Sequence, residues 1–191
     1  MESESFVVLA SRSPRRVELL KQLVTDFSVV PADIDETPHS HEDPVSYVKR
    51  LALEKARAVY MVSDSSAIVI GADTTVDLDG HIFGQPVDDD DARRMLTLLS
   101  GTTHQVHTGV AFVSATGEQV EVVSSAVTFL DLQPEMLEWY IGTGESVGKA
   151  GSYAIQGHGS ALVASSTGSM SNIIGLPLEE TARLLGLPSP K

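Results

Sequence analysis

Residues 5–24 read SFVVLASRSPRRVELLKQLV, and this stretch sets the fold class. Ser5–Ala10 is short, apolar and β-branched, the composition of a buried strand. Ser13-Pro14 then reads as a helix start, with serine as cap and proline in the first helical position. Val17, Leu20 and Leu23/Val24 recur at helical spacing to about Val24. Working outward, Phe27–Val30 reads as a second strand and the acidic, proline-containing Pro31–Asp43 as a loop. Asp43-Pro44 opens a longer helix with Val45, Val48, Ala52, Ala56 and Val59 on one face. Ala67–Gly71 (AIVIG) has the unbroken apolar run of a central strand. Thr75–Leu78 and His81–Phe83 flank Asp79-Gly80, a two-residue hairpin signal. Asp88 caps a third helix with Ala92, Met95, Leu96 and Leu99 inward, and Gly101 ends it. Thr103–Ser114 and Gln119–Leu130 make an antiparallel pair around Thr116-Gly117. Pro134–Ile141 is a short helix and Gly142–Ser152 a glycine-rich loop. Short strands around Tyr153–Ile155 and Ala161–Ala164 precede a last helix after Pro177. Alternation early and long hairpins late predict one mixed α/β unit over residues 1–191, with two lobes about one cleft.

The composition limits the function classes. The chain has 191 residues, about the size of one domain. Thirteen basic against twenty-six acidic residues give a net charge of −13, which argues against coating nucleic acid. An anionic ligand can bind only where the few cations gather. There is no cysteine, which excludes a disulfide scaffold, a thiolate metal site and a cysteine nucleophile. No apolar run approaches the ~20 residues of a membrane span. Met1–Ala10 starts acidic, with too short an apolar run for a secretory segment. The expected setting is cytoplasmic, without nucleic-acid or membrane partners.

Arg12, Arg15 and Arg16 put three cations into five positions at a helix start. Cations there oppose the helix dipole by about 0.3 kcal/mol or more. A bound anion removes the conflict, with Ser11 and Ser13 adding hydroxyl donors. A solvated basic helix start, paired with acids elsewhere, is the equally open alternative. Asp73 follows the AIVIG run, in the region where ligands gather beyond strand ends. With Thr74 and Thr75 beside it, it is placed to hold a metal or activate a water; a turn-former is the bland alternative. Lys55, one position before Ala56, falls on the cleft margin. Asp33 and Asp35 read as loop solvation, and spacing leaves Glu36 undecided.

Other chemistry-bearing patterns resolve to structure. Asp88–Asp91 are acids favoured at a helix start rather than a metal run. His104 and His107, three apart in a strand, face opposite ways and do not share a metal. His39, His41, His81 and His158 read as surface residues in turns. Gly148-Lys149 is not a P-loop, because Thr143 and Ala150 occupy positions that motif reserves for glycine and Ser/Thr. Gly144–Gly148 matches G-x-S-x-G, but a helix precedes it and a loop follows, the wrong setting for a nucleophile elbow.

Several segments form an ordered set along nearly the whole chain. They are Leu9–Arg16 with Glu18-Leu19-Leu20, Asp33-Ile34-Asp35-Glu36, Leu51-Ala52 with Glu54-Lys55-Ala56, and Gly71-Ala72-Asp73-Thr74. Leu98–Gly101 with His104, Val106, Thr108 and Gly109 follows, then Gly148–Tyr153, Ile155-Gln156-Gly157 and Gly175–Leu178. Together they resemble the Maf family, the septum-formation-inhibitor-like nucleotide pyrophosphatases. The resemblance implies a strongly twisted central sheet flanked by helices, with two lobes around a nucleotide cleft, as in ITPase-like folds. It implies hydrolysis of a nucleoside triphosphate to the monophosphate and pyrophosphate, with a divalent cation (Mg²⁺, or Mn²⁺ or Co²⁺) and often a homodimer. It maps the proton acceptor onto Asp73, with Lys55 and Glu36 as further catalytic residues, and the metal onto Glu36 and Asp73. Substrate contacts map onto Ser11, Arg15, Arg16, Thr74, Gln85 and Gln156. Arg15, Thr74 and Gln156 carry the residue types of the branch acting on dTTP and UTP. One position departs: Gly84-Gln85-Pro86 has glutamine where the family usually has lysine. That change supports an alternative, a nucleotide-binding regulator with weak or no catalysis. Pool cleaning and division control both remain open as roles.

Overall fold

The computed structural model describes residues 6–190; Met1–Ser5, with the acidic start and the first position of the predicted strand, and Lys191 lie outside it. Strand β1 (Phe6–Ala10) leads into helix α1 (Pro14–Leu20) through the polar turn the sequence predicts. Ser13 is the cap, with its hydroxyl accepting from Arg16 N–H at 3.4 Å and Pro14 opening the helix. The helix stops at Leu20 rather than near Val24, and the chain turns into β2 (Phe27–Val29). Helix α2 (Pro44–Tyr60) starts at Asp43, whose carboxylate accepts from Val45 and Ser46 N–H at 3.1 and 3.0 Å. Val45, predicted inward, is exposed: it sits in the first turn, ahead of the buried Val48, Ala52, Ala56 and Val59.

Strand β3 corrects the sequence reading most. The expected break after Gly71 does not occur, and β3 runs unbroken from Ala67 to Leu78. The polar residues after the apolar run stay in the strand because the packing satisfies them: Lys55 meets Asp73 on one face, and Arg16 and Thr108 meet Thr74 on the other. Asp73 is therefore mid-strand, not at a strand end. β4 (His81–Phe83) returns through Asp79 and Gly80, both at positive φ as a two-residue hairpin turn requires. After α3 (Asp89–Leu99) come the long antiparallel pair β5 (Thr103–Ser114) and β6 (Gly117–Phe129). Helix α4 (Pro134–Gly142) follows, then 3-10 turns at Ala150–Ser152 and Gly157–Leu162, β7 (Val163–Thr167), α5 (Met170–Ile174) and α6 (Leu178–Leu184). Tyr153–Ile155 is not a strand: Tyr153 is buried edge-on against His104 and Phe129, and Ala154 N–H goes to Tyr140 instead of a ladder. The strand placed at Ala161–Ala164 begins later, at Val163, and α5 has no counterpart in the sequence reading.

The seven strands form one mixed sheet in the order β2-β1-β3-β5-β6-β7, with β4 also on β3. β2, β1 and β3 are parallel, and the remaining pairs are antiparallel. Helix α2 lies on one face with Ala52, Ala56 and Val59 against Val8, Val69 and Ala111. On the opposite face Leu19, Leu20, Leu176 and Leu178 cover Ile70 and Val110. A separate core joins α3 and α4 to the far end of the sheet, through Leu96, Leu99, Tyr140 and Phe129. Two glycines let α2 lie close: a Cβ on Gly71 would stand 2.7 Å from Ala56 N, and one on Gly109 would stand 2.7 Å from the Val48 carbonyl carbon.

Candidate active site

β1 pairs with β3 only as far as Ala10 opposite Gly71, and β4 pairs with β3 only from Val76 onward. Between them, Ala72–Thr75 have no strand partner on that side. This gap is the floor of a cleft of about 1020 Å³. All nine residues nominated from the sequence line it. Ser11, Arg15 and Arg16 come from the β1–α1 turn, and Glu36 from the loop after β2. Lys55 projects from α2, Asp73 and Thr74 rise from the floor, and Gln85 and Gln156 lie on the opposite wall.

The three catalytic nominees are in contact. Lys55 Nζ lies 2.7 Å from Asp73 Oδ1 and 2.9 Å from Glu36 Oε1. Lys55 and Asp73 are buried, whereas Glu36 is half exposed. Burial pushes the Asp73 carboxyl above the ordinary aspartate range, while Lys55 and Arg16 pull it back. Tyr47 of α2 donates to the Glu36 carbonyl at 2.9 Å and so fixes the loop that carries this carboxylate. Among the described residues no three His, Cys, Asp or Glu side chains cluster as a metal cage. Two carboxylates on one cleft do fit a hard divalent cation that completes its shell with substrate phosphate oxygens.

The two arginines differ. Arg16 is tied into the protein: Nε donates to Gly175 O at 2.7 Å, Nη2 to Thr74 Oγ1 at 2.9 Å and Nη1 to Ser11 Oγ at 3.3 Å. Thr74 is equally committed. Thr108 gives its proton to Asn172 O at 2.9 Å, so at the 2.9 Å Thr74–Thr108 contact Thr74 is the donor. Arg15 is the opposite case. Its Nε and Nη1 are buried without a hydrogen-bond partner among the described residues. Burial lowers its pKa, with Tyr140 and Glu145 acting against that shift. Leaving a buried charged donor unpaired costs about 1–3 kcal/mol or more, so this guanidinium is set up for an anion. Gln85 lies beside the Gly148-Lys149 turn, its Oε1 4.0 Å from where a Cβ on Gly148 would be. Gln156 is exposed at the rim.

The remaining candidates fall outside this chemistry. Asp35 accepts from Thr37 N–H at 2.9 Å, a local loop bond, and the exposed Asp33 stands 3.9 Å from Arg12 across the cleft mouth. His104 Nε2 meets Tyr153 Oη at 2.8 Å, whereas His107 sits between Ser124 at 2.7 Å and Asp77 at 3.1 Å, so the two do not meet. Gly144–Gly148 forms turns after α4, with Ser146 buried, and makes no nucleophile elbow. Sequence reasoning missed Tyr47, Asn172 and Glu145; their roles depend on contacts between distant segments, which spacing does not encode. Among the described residues no helix is long and apolar enough to cross a membrane.

Comparison with known proteins adds three findings. The profile of the family described as "Maf-like protein" matches residues 6–187. A "dTTP/UTP pyrophosphatase" of Myxococcus xanthus is 51% identical over 190 residues, covering 98% of this chain and 96% of the relative. One from Alcanivorax borkumensis is 49% identical over 178 residues, covering 93% and 92%. Among solved structures, the Staphylococcus aureus Ham1 protein superposes with a TM-score of 0.50 at 17% identity, over 65% of this chain and 72% of that one. At that identity the likeness concerns the fold alone.

Proposed function

Because the chain belongs to the Maf-like protein family, we propose that it hydrolyses nucleoside triphosphates, dTTP and UTP foremost, to the monophosphate and pyrophosphate. The observation that carries this reading is the Arg15 guanidinium, whose Nε and Nη1 are buried without a partner among the described residues, in the same cleft as the Asp73–Lys55–Glu36 group. A polyphosphate answers both ends: it supplies acceptors for Arg15 and places a phosphorus atom near a buried carboxylate.

In this mechanism Asp73 orients a water and takes its proton for in-line attack at the α-phosphorus. Burial raises the basicity of this carboxylate above that of an ordinary aspartate, and the Lys55 ammonium at 2.7 Å acts against that push and favours its ionised form. Arg15 offsets the charge that develops on the departing pyrophosphate. Ser11 Oγ accepts from Ser13 N–H and from Arg16, which leaves its own proton for a phosphate oxygen. Arg16 acts on Thr74 and Gly175, holding the cleft wall, more than on substrate. Glu36 and Asp73 would hold a divalent cation, Mg²⁺ or in its place Mn²⁺ or Co²⁺, which when bound supplies charge neutralisation and a more acidic water. Gln156 presents a free amide to the base.

The test is pyrophosphate release from a panel of nucleoside triphosphates with Mg²⁺, for wild type, Asp73→Asn and Arg15→Met. Release of monophosphate and pyrophosphate, lost in Asp73→Asn, supports the proposal. Tight binding without release returns the regulator reading, for which Gln85 in place of lysine is the supporting feature.

A further inference from the structure

Glu145 lies outside the Asp73 group, yet its carboxylate touches three parts of the opposite wall. Oε2 accepts from Gly159 N–H at 2.8 Å and Oε1 from His158 N–H at 3.2 Å. The His158 ring stands 3.6 Å away. Gly157, at φ +70°, folds over the carboxylate: a Cβ there would lie 3.2 Å from Glu145 Cδ and nearer still to Oε1. Tyr140 holds the other end of the same segment, accepting from Ala154 N–H at 3.1 Å. The segment so gripped is Ala154–Gly159, and Gln156 is in its middle. An exposed amide followed by Gly157 and, two residues on, Gly159 discriminates between ligands only if its backbone is fixed. The grip is what fixes it.

We propose that Glu145 is a positioning residue for base selection: it locks the Gln156–Gly159 turn, so that the Gln156 amide meets the nucleobase in one orientation. The proposal rests on the nucleotide reading above. The carboxylate has a second effect of opposite sign. It lines the same cleft as Arg15 and Lys149, and its negative charge acts on both cations, so it weakens the field felt by a phosphate tail. Removing its charge loosens the base side and leaves the tail side unchanged or stronger. A merely structural defect weakens both.

That difference in sign defines the experiment. Binding of dTTP, dGTP and inorganic tripolyphosphate is measured by calorimetry for wild type, Glu145→Gln and Gly157→Ala. The second variant keeps the charge but drives a methyl into the clamp, and it carries the test if the first does not fold. In Glu145→Gln the dTTP-over-dGTP preference falls about ten-fold or more, the scale of one lost oriented hydrogen bond, while tripolyphosphate binds as tightly as to wild type or tighter. In Gly157→Ala the preference falls likewise and tripolyphosphate binding is unchanged. An unaltered preference in either folded variant overturns the proposal, as does equal loss of nucleotide and tripolyphosphate. Because the readout is binding, a wild type that selects bases without releasing pyrophosphate overturns the enzymatic reading and leaves this one standing.

Discussion

Replacing Gly71 with alanine tests whether the closeness of α2 to the sheet sets the catalytic geometry. The added Cβ would lie 2.7 Å from Ala56 N and 3.0 Å from its Cβ, and closer still to the Ala52 carbonyl oxygen. These are mainly backbone atoms of a well-packed helix, so no side chain can swing aside. Reaching ordinary contact at 3.4 Å or more requires α2 to retreat by about 1 Å. Lys55 precedes Ala56, so the retreat stretches the 2.7 Å Lys55–Asp73 contact beyond hydrogen-bond length. Overpacking of this kind costs about 1–3 kcal/mol, or more where only backbone is available to move. At this chain length that lowers the melting temperature by roughly 3–10 °C. A misplacement of about 1 Å at a reacting group costs about 100-fold in rate. Calorimetric melting and pyrophosphate release from dTTP measure the two effects. A Gly71→Ala protein that melts within about 1 °C of wild type and keeps its turnover would refute both the packing argument and the dependence of Asp73 on α2.

Two more predictions concern proton linkage. Lys55→Met removes the charge that most strongly pulls the Asp73 carboxyl down, leaving burial to push it up. Turnover at pH 7 falls about 100-fold or more, and the acid limb of the kcat/KM profile moves to higher pH; a limb at the wild-type position would separate Asp73 from the titration. His104 is held at about 4 by burial, against an ordinary value of 6.5. The unfolded chain therefore takes up a proton near pH 6.5 that the folded one refuses until about pH 4, so this group makes stability fall as pH drops through that window. His104→Phe strands the Tyr153 hydroxyl and is the less stable protein at pH 7, but its deficit in urea denaturation midpoint narrows by pH 4.5; a constant deficit would remove His104 from the acid response.

What the sequence made legible has a physical pattern. Strands and helices with strong local signals stand where Ser13-Pro14, Asp43-Pro44, Asp88 and Asp79-Gly80 put them, because caps and turns are local chemistry. Arg15, Arg16 and Asp73 were also visible, as charges placed where a helix start or an apolar strand would not otherwise choose them, whereas spacing left Glu36 undecided. The continuation of β3 past Gly71 was not visible. Gly71 and Asp73 read alone as a break in the strand, and Lys55, Arg16 and Thr108, each remote in sequence, satisfy the polar side chains that let it continue there. The unlike states of Arg15 and Arg16 were hidden for the same reason: adjacent in sequence, they diverge because Arg16 reaches Gly175 and Thr74 while Arg15 Nε and Nη1 reach no acceptor among the described residues. Tyr153 reads as part of a strand, yet its ring packs against aromatic neighbours in a segment without ladder bonds.

The interrupted pairing along β3 separates two kinds of evolutionary change. The segments flanking the cleft are β1 with its following turn and β4 with the chain beyond it, and both are hooked onto the same strand, at Gly71 and at Val76. The distance between these hooks is metered by β3 itself, so the loops on either bank can change in length without altering where Asp73 stands between them. A lineage built on this frame is free to exchange the residues on the banks while the Asp73–Lys55 pair stays fixed.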